Sequence, residues 1–121
     1  MVVVEYILVV DDKSSIRRLF AEVLANAGYE SKQVGRGDEC LRYALSIYKP
    51  SLILLDNSMP DICGLDVLRL LKKDEFAKNI PVIMISGEEI EEQAKKQGAH
   101  DVLIKPFDIY ELIDKVRTVF A

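Results

Sequence analysis

The chain has 121 residues, of which 50% are hydrophobic and 30% charged, and its formal net charge is −4 at pH 7. This size is typical of one globular domain with a buried core, so we expect residues 1–121 to form a single domain. The negative charge, without a basic stripe, argues against direct binding of nucleic acid. No apolar run is long enough to cross a bilayer and no signal-peptide pattern is present, which favours a cytoplasmic protein with no membrane role.

Strand-like and helix-like segments alternate along the first half of the chain. Residues 6–10 form an apolar run that is typical of a buried parallel strand. Residues 14–27 are expected to form a helix that stops at Gly28, with an inward stripe of Ile16, Leu19, Phe20, Val23, Leu24 and Ala27. The second helix is expected to end at Pro50, with an inward stripe of Leu41, Ala44, Leu45 and Tyr48.

The same alternation continues in the second half of the chain. Residues 51–55 and 81–85 are strand-like runs, and the helix between them is marked by Leu65, Leu68 and Leu71. The fourth helix, residues 88–97, is weak because its only candidates for the core are Ile90 and Ala94. After the strand-like residues 102–104, Asp108 is the expected N-cap of a last helix whose inward side chains are Ile109, Leu112, Ile113 and Val116. These alternations predict an α/β fold, with a doubly wound parallel sheet covered by helices on both faces.

Polar residues stand where four of the strand-like runs end. Asp11 and Asp12 follow the first run, Asp56 closes the next, and Ser86 and Lys105 follow the last two. The carboxyl ends of parallel strands meet at one edge of a sheet, where such folds hold their ligands. Crowded carboxylates repel one another, and a bound Mg²⁺ would relieve that repulsion and neutralise charge on an incoming phosphoryl group. The pattern therefore predicts a site for a divalent metal and a phosphoryl group.

The chain resembles the receiver domain of two-component response regulators, because its polar residues have the order and the strand-end positions of that family's motifs. The resemblance runs from about Tyr6 to the last residue, so that residues 1–121 are expected to be one receiver domain. It depends on an acidic pair, a phospho-accepting aspartate with the Met-Pro and Gly that follow it, a hydroxyl residue and a Lys-Pro pair. In this sequence these are Asp11 and Asp12, Asp56, Met59, Pro60 and Gly64, Ser86, Lys105 and Pro106.

The resemblance implies a fold and a set of roles for these residues. The fold is flavodoxin-like, with five helices around a five-stranded parallel sheet of order 2-1-3-4-5. Mg²⁺ would be held by three carboxylates and one backbone carbonyl, those of Asp11, Asp12, Asp56 and Ser58. Asp56 would accept the phosphoryl group, Lys105 would pair with it and Ser86 would donate a hydrogen bond to it, helped by the backbone N–H groups of Asn57 and Gly87. A cis peptide bond before Pro106 is also implied.

Partners follow from the same resemblance. The phosphoryl donor would be a phosphohistidine on a sensor histidine kinase or a histidine phosphotransfer protein, and the phosphorylated domain would act on a downstream protein target. Such a domain promotes its own phosphorylation and dephosphorylation. We therefore expect that the protein is not an enzyme that turns over a separate substrate. A stand-alone signalling relay is the simplest form of such a protein.

Two features depart from the family pattern. Most receiver domains carry an aromatic residue three positions before the lysine, and that position is Val102 here. The segment between Ser86 and Lys105 is also shorter than the family pattern by about three residues, most of one helical turn. Both departures affect the part of the domain that the family uses for output.

Two other classes of protein require residues that this sequence lacks at the corresponding positions, and a third differs from a receiver domain only in function. A haloacid-dehalogenase-like phosphatase requires a second aspartate two residues after the nucleophile, where this chain has Ser58. A nucleotide-binding Rossmann domain requires a glycine-rich turn after the first strand, where this chain has two aspartates and a lysine. The remaining alternative is a pseudo-receiver, a protein-binding module with the same fold that acts independently of phosphorylation.

Overall fold

The computed structural model describes residues 5–121. They form a five-stranded parallel sheet of order β2-β1-β3-β4-β5 with five helices, which confirms the predicted fold class and strand order. The strands are β1 (Ile7–Val10), β2 (Ser31–Val34), β3 (Leu52–Asp56), β4 (Val82–Ser86) and β5 (Asp101–Ile104). The helices are α1 (Ser14–Asn26), α2 (Gly37–Ala44), α3 (Gly64–Lys73), α4 (Glu91–Lys96) and α5 (Ile109–Phe120).

The three central strands are buried on both faces, which explains why they appear in the sequence as continuous apolar runs. Side chains that alternate along each strand enter two separate cores. One core joins the sheet to α1 and α5 and includes Ile7, Val9, Phe20, Leu24, Leu54, Leu112 and Val116. The other joins the sheet to α2, α3 and α4 and includes Leu8, Val10, Cys40, Ala44, Leu55, Val67, Leu68 and Ala94. The helices therefore cover both faces, as predicted.

Several helix ends agree with the sequence prediction. Gly28, just beyond the end of α1, has a φ of 93°, a backbone conformation that a glycine adopts without strain. The carboxylate of Asp108 accepts a hydrogen bond of 2.8 Å from the Glu111 N–H and so caps α5. Within residues 5–121, no helix combines the length and the apolar character that a bilayer crossing demands.

The prediction that the second helix ends at Pro50 is wrong, because α2 ends at Ala44. Both the N–H and the hydroxyl of Ser46 donate to the Tyr43 carbonyl, which closes the last turn and prevents continuation of the helix. Two members of the predicted inward stripe consequently lie outside the helix, and Leu45 and Tyr48 are exposed.

The fourth helix is shorter than the predicted residues 88–97, since α4 comprises only Glu91–Lys96. Ile90 and Ala94 are buried, as predicted. The Glu88 N–H donates to the Ser86 hydroxyl and the Ile90 N–H to the Glu88 carbonyl, so that residues 87–90 form a turn instead of helix.

The predicted inward positions of two further side chains, Leu19 and Ile109, are also wrong, because both are exposed on the surface between α1 and α5.

Candidate functional site

The sheet brings all of the predicted site residues to its carboxyl edge. Asp56 and Ser86 are the last residues of the adjacent strands β3 and β4. Asp11 and Asp12 directly follow β1, and Lys105 directly follows β5. The side chains of Asp11, Asp56 and Ser86 are buried, with relative exposures of 1%, 1% and 4%. Buried polar groups of this kind need partners, which the site itself provides.

Three carboxylates lie at the centre of the site. Asp11, Asp12 and Asp56 each offer one oxygen, and these three oxygens lie within 4.8 Å of one another. Burial raises the pKa of the Asp11 carboxyl above its usual range, the Lys13 N–H at 2.9 Å lowers it in part, and the charge of Asp56 raises it further. Burial is the largest of these effects, so a nearby cation would stabilise the charged form of Asp11.

The carboxylate of Asp56 is fixed through both of its oxygens. Lys105 Nζ lies 2.8 Å from Oδ1, and the Ser58 N–H donates to Oδ2 at 3.0 Å. The Asp56 side chain is buried, whereas Lys105 is partly exposed and reaches in from the surface. The Lys105 N–H donates to the Ser86 carbonyl at 2.9 Å, and the Lys105–Pro106 peptide bond is cis, as the resemblance implied.

Ser86 and the loop after β3 provide the remaining polar groups. The Ser86 hydroxyl accepts a hydrogen bond from the Glu88 N–H at 2.9 Å, which leaves its own proton free to donate. The expected role of the Asn57 N–H is wrong, because this group donates to the Ile85 carbonyl within the sheet. The N–H of the next residue, Ser58, faces the carboxylate of Asp56 instead. No feature of the sequence distinguishes these two adjacent amides.

The donors at this edge of the sheet suit Mg²⁺. All of them are oxygen atoms, and the carboxylates of Asp11, Asp12 and Asp56 are close enough to share one ion, although two of them are buried. Neither cysteine takes part in the carboxylate cluster, since Cys40 is buried in the core and the exposed Cys63 thiol contacts Asp66. The residues present therefore fit a hard divalent cation.

Comparison with known proteins agrees with this geometry. The model of the response regulator receiver domain matches residues 7–117. The chain belongs to the response regulator receiver domain family. This family consists of signalling modules of two-component systems, and the intact acids, hydroxyl and lysine give no support to the pseudo-receiver alternative.

Two curated relatives of this receiver domain are larger proteins. The phosphate regulon transcriptional regulatory protein PhoB of Pseudomonas aeruginosa is 38% identical over 116 residues, which are 93% of this chain and 50% of PhoB. The CAI-1 autoinducer sensor kinase/phosphatase CqsS of Vibrio cholerae is 38% identical over 114 residues, which are 91% of this chain and 16% of CqsS. The chain thus spans half or less of the length of these relatives.

Two solved structures match almost the whole receiver domain. The chemotaxis response regulator CheY4 of Vibrio cholerae has a TM-score of 0.86 and 29% identity over 96% of this chain and 98% of its own. The response regulator TrrA of Thermotoga maritima, solved in complex with Mg²⁺-BeF, has a TM-score of 0.85 and 32% identity over 95% of this chain and 98% of its own. The TrrA structure is thus an example of a response regulator protein of this fold in complex with Mg²⁺-BeF.

Proposed function

We propose that Asp56 accepts a phosphoryl group from a phosphohistidine on a sensor histidine kinase or a histidine phosphotransfer protein. The observation that carries this proposal is the position of the Asp56 carboxylate, which is buried, paired with Lys105 at 2.8 Å and grouped with two other acids. Phosphorylation would change the contacts of this receiver domain with a downstream protein. The domain promotes its own phosphorylation and dephosphorylation and has no turnover substrate.

Transfer requires one bond to form and one to break. A carboxylate oxygen of Asp56 attacks phosphorus in line, and the bond from phosphorus to the donor imidazole nitrogen breaks. The electron pair of that bond stays with the imidazole, which takes up a proton from water as needed, and Asp56 becomes an acyl phosphate. Because this transition state is loose, the main contribution of the protein is to position and stabilise charge.

The residues around Asp56 are placed to receive the phosphoryl group. Lys105 is a compact cation that would move from the carboxylate to a phosphoryl oxygen. The Ser86 hydroxyl and the Ser58 and Gly87 N–H groups would donate to the other oxygens. Asp11, Asp12, Asp56 and the Ser58 carbonyl would hold Mg²⁺, which when bound supplies charge neutralisation for the transfer.

Hydrolysis of the acyl phosphate would reset the domain. Ser58 and Glu88 are both exposed, and their N–H groups bond to Asp56 and to Ser86 respectively. Both residues therefore lie next to the site and are open to solvent. We propose that they control the rate at which water attacks.

An apolar groove beside the site offers a surface for the phosphodonor protein. It has a volume of about 410 Å³, and Lys105 itself forms part of its wall. The other wall residues come from α1, from the turn before it, from the segment after β5 and from the first residue of α5, and they are Lys13, Ile16, Leu19, Phe20, Pro106, Phe107 and Ile109. Because the groove is continuous with the phosphate-pairing lysine, a histidine phosphotransfer protein bound there would present its phosphohistidine to Asp56.

The experiment compares two phosphodonors. Leu19 is 47% exposed in the groove, and Leu70 is 42% exposed on α3, so Leu19→Arg and Leu70→Arg form a matched pair. We expect Leu19→Arg to slow phosphorylation by a histidine phosphotransfer protein at least tenfold while acetyl phosphate reacts normally. Leu70→Arg should leave both reactions unchanged, and Asp56→Asn should abolish both. If the histidine phosphotransfer protein phosphorylates the two arginine variants at equal rates, the groove is not its docking surface. If Asp56→Asn is phosphorylated, Asp56 is not the phosphoacceptor.

A further inference from the structure

Arg17 contacts the backbone of the acidic pair without contacting either carboxylate. Its Nη1 donates to the main-chain carbonyl of Asp11 at 2.6 Å, a short, charge-assisted hydrogen bond. The Asp11 N–H donates to the Val34 carbonyl at 3.2 Å, and the Asp11 carboxylate accepts from the Lys13 N–H. Arg17 therefore completes a set of contacts that holds Asp11 at its N–H, its side chain and its carbonyl.

The guanidinium of Arg17 also packs against a second loop. Gly35 lies in the connection between β2 and α2, and a Cβ at this position would lie 3.0 Å from Arg17 Nη1 and 3.8 Å from the Asp11 carbonyl oxygen. Glycine thus leaves the space that the guanidinium occupies. Arg17 consequently joins the turn after β1 to the loop after β2.

We infer that Arg17 is a positioning residue for the Mg²⁺ site and that it acts by fixing the direction in which the Asp12 side chain leaves the backbone. This inference rests on the proposed function. The Asp11 carbonyl and the Asp12 N–H belong to one planar peptide unit. A hydrogen bond that fixes the carbonyl therefore fixes the backbone from which the Asp12 side chain departs. Asp12 is exposed, in contrast to the buried Asp11 and Asp56, so it depends most on this backbone restraint.

The positive charge of Arg17 and the restraint that it places on the backbone should have opposite effects on the affinity for Mg²⁺. A cation near the acid cluster repels Mg²⁺, so loss of the charge alone would strengthen Mg²⁺ binding. Loss of a restraint on a ligand weakens binding, and residues that orient metal ligands contribute about 10- to 100-fold in affinity. We expect the restraint to dominate, because the hydrogen bond is short and Arg17 is partly buried.

The test measures the dissociation constant for Mg²⁺ by isothermal titration calorimetry, with metal alone and no phosphodonor. Arg17→Gln should bind Mg²⁺ about tenfold more weakly than wild type. Arg18→Gln is the matched control, because the adjacent Arg18 is exposed and its replacement removes the same charge. Gly35→Ala keeps every charge but places a methyl group against the guanidinium, so it should weaken binding in the same direction. The double variant Arg17→Gln/Gly35→Ala should bind no more weakly than Arg17→Gln alone.

Each outcome bears on a different claim. If Arg17→Gln binds Mg²⁺ as tightly as Arg18→Gln or more tightly, the positioning role is overturned. The proposed phosphorylation of wild type at Asp56 would not be affected by that result. If Arg17→Gln does not fold, unchanged affinity in Gly35→Ala overturns it instead. A wild-type protein that binds no Mg²⁺ overturns both this inference and the metal site on which it rests.

Discussion

The backbone of Gly64 lies directly against the main-chain carbonyl of Asp56. A Cβ at position 64 would stand 2.6 Å from that oxygen and 2.8 Å from the Asn57 Cα, distances that no side chain tolerates. The Gly64 N–H donates to the Asn57 carbonyl at 2.8 Å, and the Asn57 amide oxygen accepts from the Leu65 N–H at 3.0 Å. The start of α3 is thereby fixed against the strand end that carries the proposed phosphoacceptor.

Gly64→Ala should therefore lower the free energy of unfolding. The added methyl group meets backbone atoms that cannot move aside, and overpacking of this kind costs about 1–3 kcal/mol. Urea denaturation of the metal-free protein measures the change. Gly87→Ala is the control, because a Cβ there has its nearest neighbour at 3.9 Å. Equal stability of the two variants would contradict the close approach of α3 to β3.

The α/β class and the convergence of the acids could be predicted because they depend on local patterns, whereas the strand order was implied by the family resemblance. Buried strands appear as apolar runs, and a polar residue at the end of each run marks the same edge of the sheet. The end of α2 was predicted wrongly because it depends on the hydrogen bonds of Ser46. The contacts of Arg17 with Gly35 and of Gly64 with Asp56 were not foreseen, since they join segments that are separate in sequence.

The ion pairs of Asp101 predict a dependence of stability on pH. Burial raises the pKa of this carboxyl, but the Val102 N–H, Lys115 at 3.1 Å and Lys95 at 3.9 Å together lower it below its ordinary value of 3.8. A lowered pKa in the folded state contributes stability above pH 3.8, and this contribution is lost as the pH falls through the folded-state pKa.

Asp101→Asn should accordingly destabilise the fold at pH 7 by up to about 1 kcal/mol. The difference from wild type should shrink as the pH falls below 4, where the aspartate is increasingly protonated. Urea unfolding at a series of pH values measures both free energies. Asp114→Asn, on the exposed face of α5, should show no such trend. A constant difference between wild type and Asp101→Asn across the series would exclude the ionic contribution.

Lys105 is expected to act on the phosphoryl group and not on the metal. Lys105→Ala should retain Mg²⁺ binding but weaken either phosphoryl uptake or the response of the domain to it, because the cation that pairs with the phosphoryl oxygen is gone. Lys78→Ala, which removes an exposed ion pair with Glu75, is the control. Phosphorylation and response equal to wild type in Lys105→Ala would refute the assignment.

The response should appear in the segment between β4 and β5. Val102 is buried and has no ring that could turn inward on activation. The Ser86 hydroxyl, however, accepts the Glu88 N–H, so movement of Ser86 toward a phosphoryl group would break this bond and release the turn before α4. We predict faster amide exchange in residues 87–101 when Mg²⁺ and beryllofluoride are added.

Asp56→Asn provides the control for this exchange measurement, since it should not respond to beryllofluoride. Changes confined to Asp56 and its immediate neighbours, with residues 87–101 silent, would contradict the prediction. They would indicate a relay that passes its phosphoryl group on without a change of shape.

The central claim, phosphorylation of Asp56, is tested most directly by mass spectrometry of the protein after incubation with acetyl phosphate and Mg²⁺. Wild type should gain the mass of one phosphoryl group, and borohydride reduction followed by peptide mapping should locate the acyl phosphate at Asp56. The gain should disappear in Asp56→Asn and when a chelator removes the metal. A gain that persists in Asp56→Asn, or its absence from wild type with every phosphodonor, would contradict the account.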